Sequence, residues 1–200
     1  MSVARACLAE EVLRPRFLRD ALLALAGEKN QLFDPVWSRD VLERLAAHLP
    51  TSIASRLIDD LHAGWPDSQV QPDAAVLSHL EELDAEDADV LATARAAGAD
   101  TVVTNHPEGF PELICEQLST LTRSPDAFLN EIFYADRGRV ADILAMRVAA
   151  YRPPRSFSEF MDALHPEAPR FVEHLKALRS IFSLEAMTDE WRRALRSERD

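Results

Sequence analysis

A chain of 200 residues with 47% hydrophobic content can build one substantial core plus an appendage, which excludes disorder over most of its length. The formal net charge of −12 argues against binding nucleic acid through a broad electrostatic surface, and residues 1–135 hold 10 Lys and Arg against 23 Asp and Glu while residues 136–200 hold 12 against 11. Charges break every apolar run short of the roughly 20 residues that span a bilayer, and Arg5, Glu10 and Glu11 interrupt the one candidate leader, so a cytoplasmic protein without membrane partners is expected.

Val3 to Leu8 reads as a short first strand, and Leu18, Leu22 and Leu25 form the inward stripe of a helix from about Leu18 to Ala26. Phe33 to Trp37 returns extended, and Ser38 is a good N-cap for a helix running to Leu49. Thr51 or Ser52 caps the next helix, which turns Ile53, Leu57, Ile58 and Leu61 inward and stops at Gly64-Trp65-Pro66. Gln69-Val70 is a candidate edge strand, and Ser78 to Leu83 a short polar helix or turn. A carboxylate cluster then opens a helix in which Asp87, Val90, Leu91, Ala94 and Ala97 share one face, and Gly98 closes it. Thr101 to Thr104 reads as a buried strand, Glu112 to Leu118 as one or two helical turns, and Leu118 to Leu121 as a last strand. Ser124-Pro125-Asp126 begins another helix with Pro at its first position.

From Asp136 the strand signals stop. Val140, Ile143, Leu144 and Val148 mark one amphipathic helix, Tyr151 to Pro154 breaks it, Ser156 or Ser158 opens a second, Phe171 to Phe182 forms a third, and Trp191 with Leu195 marks a terminal one. The expected organisation is an α/β domain over residues 1–134 and a helical C-terminal extension over residues 135–200. Trp37, Trp65 and Phe17 belong to the core or its edge. Phe157, Phe160, Phe171 and Phe182 either pack internally or face a partner, because an extension this small has little core of its own. Cys7 and Cys115 have neither metal spacing nor disulfide density and suit buried small positions.

Several strings, in order, resemble a known family. They are Leu8-Ala9-Glu10-Glu11-Val12-Leu13-Arg14-Pro15 with Leu18-Arg19-Asp20, then Phe33 to Ser38, then Asp87-Ala88-Asp89-Val90-Leu91 through Ala97-Gly98-Ala99-Asp100. Val103-Thr104 through Phe110-Pro111, Ser124 through Leu129, and Arg152-Pro153-Pro154 with Leu164 complete the set. Together they resemble the PIN domain, in particular the VapC-like proteins of toxin-antitoxin systems that carry a helical C-terminal extension. The resemblance covers about residues 3–180 and implies a PIN-like three-layer α/β fold with a parallel sheet.

It also implies a chemistry. PIN nucleases cut RNA with carboxylates gathered at the strand ends around one or two Mg²⁺ or Mn²⁺ ions, which demand oxygen ligands and activate water. Position by position, Ala9 stands in place of the first acid, Arg44 in place of the second, Asp87 keeps the third, His106 replaces an Asn, and Gly109 replaces the last acid. Glu10, Glu11, Glu43 and Glu108 lie one or two residues from the altered positions. On a continuing strand Glu11 shares the face of Ala9 and Glu10 does not, and on a helix Glu43 points about 100° away from Arg44. Asp87 with Glu11 is then the expected metal pair.

Outside this set, His106 beside Asn105 is a candidate base, and the acidic run Glu81 to Asp89 reads as a solvated helix start. The six histidines show no paired metal spacing, and the phosphate-loop, dinucleotide and serine-hydrolase motifs are absent. Two readings stay open. In one, the chain has weak or lost ribonuclease activity, needs no cofactor, and acts through protein contacts with an antitoxin-like partner or as a homodimer. In the other it is a Mg²⁺- or Mn²⁺-dependent endoribonuclease that binds RNA and uses Asp87 with the displaced carboxylates Glu11, Glu43 or Glu108.

Overall fold

The computed structural model of the protein describes residues 4–27, 31–178 and 183–197. Val3 and Phe182, expected at the ends of a strand and a helix, lie outside the described residues. The chain packs as two compact units, Met1–Pro15 with Ala26–Ser124 and Arg16–Leu25 with Pro125–Asp200.

The chain begins with β1 (Arg5–Leu8), α1 (Glu10–Leu13) and α2 (Arg16–Ala26), of which Arg16–Leu25 falls in the second unit. The first unit continues through β2 (Asp34–Val36), α3 (Arg39–Ala47), α4 (Thr51–Gly64), α5 (Ala74–Leu77), α6 (Ala85–Ala97) and β3 (Thr101–Val103). A 3₁₀ turn (Pro107–Gly109), α7 (Glu112–Leu118) and β4 (Leu121–Arg123) complete it. The sheet is four-stranded in the order β2-β1-β3-β4, and every pairing is parallel, with Cys7 level with Val36 on one side and Val102 on the other. This α/β class with a parallel sheet is the one expected, and it is consistent with a PIN-like fold. Connections leave β1 in one direction for β2 and return past it to β3, so the order reverses at β1. In such sheets the carboxyl ends beside the reversal open a crevice, here between β1 and β3.

Helix α6 packs on β1, β2 and β3 and also meets α3 and α5. Wedged between the sheet and those helices it has hardly any solvated face, and every residue from Asp87 to Ala94 is buried. Alanines at 88, 92 and 94 allow the close approach, and the Cys7 thiol donates to the Val90 carbonyl at 3.5 Å. Asp84 caps the helix by accepting from the Glu86 and Asp87 amides at 3.0 Å each. Gly98 ends it at φ 61°, a conformation that costs another residue about 1 kcal/mol. Ser38 caps α3 as expected, accepting from the Val41 amide at 3.0 Å.

Some elements differ from expectation. The last strand is Leu121–Arg123, because α7 continues to Leu118 and Ser119, at φ 55°, turns the chain back before β4 pairs with β3. Ser78 to Leu83, expected as a short polar helix or turn, forms turns, and a short helix not expected precedes them at Ala74–Leu77, where the Asp73 carboxylate accepts from the Ala75 and Val76 amides. Neither Thr51 nor Ser52 caps α4; Pro50 occupies that position and makes no side-chain bond. Gln69 joins the sheet only as a parallel bridge to Trp37.

The second unit adds α8 (Pro125–Ala135), α9 (Arg137–Ala149), α10 (Phe157–Leu164), α11 (Pro169–Leu178) and α12 (Leu184–Ser197) to residues Arg16–Leu25. It has its own core, in which Phe157, Phe160 and Phe171 are fully buried, so these rings pack internally and present no partner face. Phe17 meets Tyr151 and Phe160 edge-on at 5.9 and 6.2 Å between centroids. Asp20 accepts from Arg147 at 2.7 Å and from the Tyr151 hydroxyl at 2.8 Å. Burial and then the Asp20 charge push the Tyr151 phenol well above its ordinary pKa. Ser156 and Glu159 form a reciprocal capping box at the start of α10. No helix among the described residues is long and apolar enough to cross a membrane.

Candidate active site at the strand ends

The carboxyl end of β1 delivers Ala9 and then α1, while that of β3 delivers Thr104, Asn105 and His106. Strand β1 stops at Leu8, so Glu10 and Glu11 stand on a turn of helix, and the face alternation expected for them does not apply. Glu11 reaches the loop after β3 nonetheless. Its Oε1 accepts from the Thr104 hydroxyl at 2.8 Å and from the Asn105 amide at 3.2 Å. Asp87 arrives from the first turn of α6, and its Oδ1 lies 3.0 Å from His106 Nε2. The other ring nitrogen, Nδ1, is 3.3 Å from Thr104 Oγ1 and 3.7 Å from Glu11 Oε1. One imidazole is thus flanked by both expected metal ligands.

The remaining expected residues stand apart from this group. Glu43 is exposed and pairs with Arg39 at 2.6 Å, and Glu108 is exposed on the 3₁₀ turn. Arg44 lies beside Asp89, which was expected in the solvated start of α6 and is instead buried because the sheet and neighbouring helices cover that side of the helix. Asp89, 4% exposed, accepts from Ser38 Oγ at 2.6 Å and from Arg44 Nη2 at 3.2 Å, and Glu86 is 4.0 Å from Arg44 Nε. Glu10, also buried, accepts from Arg14 through both oxygens at 3.1 and 3.0 Å, with His48 at 3.9 Å. The signal for Asp89 was the composition of α6 itself. A helix with alanine or an apolar residue at most positions has no solvated side on which to carry an acid.

Electrostatics follow from these pairs. Burial raises the Asp87 carboxyl above its ordinary pKa, and the His106 hydrogen bond offsets this only in part. For His106, burial lowers the value, but the hydrogen bond and charge of Asp87, with Glu11 and Asp84, reverse that and hold the imidazole above the ordinary 6.5. Asp84 is lowered, chiefly by the Asp87 amide it accepts. Asp87 Oδ1 and His106 Nε2 thus form a hydrogen bond that favours the charged ring.

A hard divalent ion needs several oxygens converging on one point. Here Asp87 faces an imidazole, Glu11 already accepts a hydroxyl and an amide through one oxygen, and a guanidinium sits on Asp89. Among the described residues no group of three or more His, Cys, Asp or Glu is placed to hold a metal ion. The side chains as they stand do not fit Mg²⁺ or Mn²⁺.

No curated protein and no solved structure matches the chain. Residues 125–177, which run from α8 almost to the end of α11, match the family model of the VapC50 C-terminal domain. Through that segment, the match supports a relationship with the VapC toxins.

Proposed function

We propose that this is a PIN-like protein of the VapC toxin-antitoxin lineage with weak or lost ribonuclease activity, acting through protein contacts with an antitoxin-like partner or a second copy of itself. The observation that carries the reading is the pairing at the strand ends. Each buried or half-buried acid there already holds a donor: Asp89 holds Arg44 and Ser38, Glu10 holds Arg14, and Asp87 meets His106. A metal ion entering this crevice must break those pairs before it gains oxygen ligands. The match over residues 125–177 supports the lineage.

The second reading, a Mg²⁺-dependent endoribonuclease, draws on the approach of Glu11 and Asp87 to the same ring at 3.7 and 3.0 Å. Withdrawal of His106 would leave two carboxylates facing a common space. Calorimetric titration with Mg²⁺ and Mn²⁺, beside an Asp87→Ala variant, separates the two. Absence of specific binding is expected. Millimolar or tighter binding that Asp87→Ala abolishes would favour the nuclease, as would growth arrest on expression without a partner.

A further inference from the structure

Helices α8 and α11 of the second unit carry a hydrogen-bonded chain that ends at the surface. The Asn130 side-chain amide donates to the Asp126 carbonyl at 2.8 Å, which orients its own oxygen toward His174. His174 Nδ1 lies 2.6 Å from Asn130 Oδ1. An amide oxygen only accepts, so Nδ1 carries the proton, and in the neutral ring Nε2 is bare. Tyr134 Oη is 2.9 Å from Nε2 and must donate its hydrogen there. Every bond in the chain therefore has a fixed direction, from Tyr134 inward to Asp126.

The outer end is open. Tyr134 is 54% exposed, so its oxygen lone pairs face solvent while its proton is directed at a base. The Arg137 guanidinium lies 5.1 Å from the centre of the Tyr134 ring, where a cation is attracted to the ring face. His174 is held in place by stacking on Phe133, with centroids 5.9 Å apart and planes 13° from parallel. A hydroxyl, a base within hydrogen-bond reach and a third group that fixes the tautomer of the base make up an activated nucleophile. The other tyrosine offers the contrast, because Tyr151 is buried and donates to a carboxylate.

We propose that Tyr134 is a nucleophilic phenol that accepts an acyl group from an activated acyl donor, with His174 as its general base and Asn130 as the positioning residue. Tyr134 Oη attacks the carbonyl carbon and forms the ester bond. The bond from that carbon to the leaving group breaks, and the phenolic proton passes to His174 Nε2 and then to the leaving group. An acyl donor is favoured over a phosphoryl donor because attack on a carbonyl gains from removal of the nucleophile's proton, whereas phosphoryl transfer draws mainly on charge stabilisation.

The test uses the full chain and N-acetylimidazole, with the modified residue mapped by peptide mass spectrometry and a free tyrosine amide as reference. Tyr134 is expected to be acetylated about a hundredfold faster than the reference, the lower end of what a positioned base contributes, while Tyr151 stays unmodified. His174→Gln keeps an acceptor and a donor between Tyr134 and Asn130 but has no basic nitrogen, so the rate should fall to that of the reference. If wild-type Tyr134 reacts no faster than the reference, or a folded His174→Gln variant reacts like wild type, the chain is a structural link between helices and the proposal is overturned.

Discussion

A Cβ atom at Gly109 would come within 3.1 Å of His106 Cδ2, so a side chain at 109 requires the imidazole to give by a few tenths of an ångström. In the family resembled, an Asp and an Asn stand at these two places. The two positions are sterically linked, because the imidazole and a side chain at 109 draw on the same space. Gly109→Ala is therefore expected to destabilise the wild type by about 0.5–1 kcal/mol. In a His106→Asn background the same change should be neutral or stabilising by about 0.5 kcal/mol, through the entropy of the unfolded chain. Urea unfolding of the four proteins gives the coupling, and equal effects in both backgrounds would show that the two sites are independent.

Arg44→Ala leaves the buried Asp89 carboxylate with the Ser38 hydroxyl but without the Arg44 charge. A loss of about 2–3 kcal/mol is expected, less than for a fully buried pair because the Arg44 side chain is 24% exposed. Asp89→Asn added to Arg44→Ala should recover much of it. Chemical denaturation provides the measurement, and a double variant no more stable than Arg44→Ala would mean that the charge of Asp89 is not what Arg44 balances.

The His106 group makes stability fall as pH rises. A histidine raised in the folded state contributes stability that is complete below its unfolded value, near 6.5, and is lost as pH climbs through the folded value. Asp87 is raised as well, so its contribution has the same sign at lower pH, declining as pH rises from the unfolded value near 3.8. His106→Gln should flatten the decline above pH 6.5. Unfolding curves at pH 6 and 8 test this, and parallel slopes for variant and wild type would contradict it.

In the second unit, Asp20→Ala removes the acceptor of both Arg147 and the buried Tyr151 hydroxyl. A cost of about 2–4 kcal/mol is expected. By contrast Arg39→Ala, which breaks an exposed pair with Glu43, should change stability by less than about 0.5 kcal/mol. Thermal unfolding of the two variants side by side checks the ranking.

Features set by neighbours in the chain were legible in the sequence. Ser38 as a cap, Asp84 and Gly98 as the limits of α6, and Pro125 at the start of α8 all follow from local backbone chemistry. Glu11 and Asp87 both flank His106, but the strand alternation expected for Glu11 does not apply, since α1 has already begun there. What escaped was decided at long range. Asp89 is an internal acid only because α3 and α5 cover the side of α6 that the sheet does not, and Arg44 becomes its partner across 45 positions of chain. The aromatic rings of the C-terminal helices looked too many for so small an extension. Residues Arg16–Leu25, more than a hundred positions upstream, join that core and bring Phe17 to Tyr151 and Phe160.

That borrowed segment constrains how the molecule can be divided. A fragment ending at Ser124 keeps Phe17 and Asp20 but strips them of Tyr151, Phe160 and Arg147, while one starting at Pro125 loses the segment altogether. No single cut yields either unit intact. Separate expression of the helical unit therefore calls for a fusion in which residues 16–25 are tethered to its own amino terminus, and a plain C-terminal deletion is a poor probe of what the α/β unit does alone.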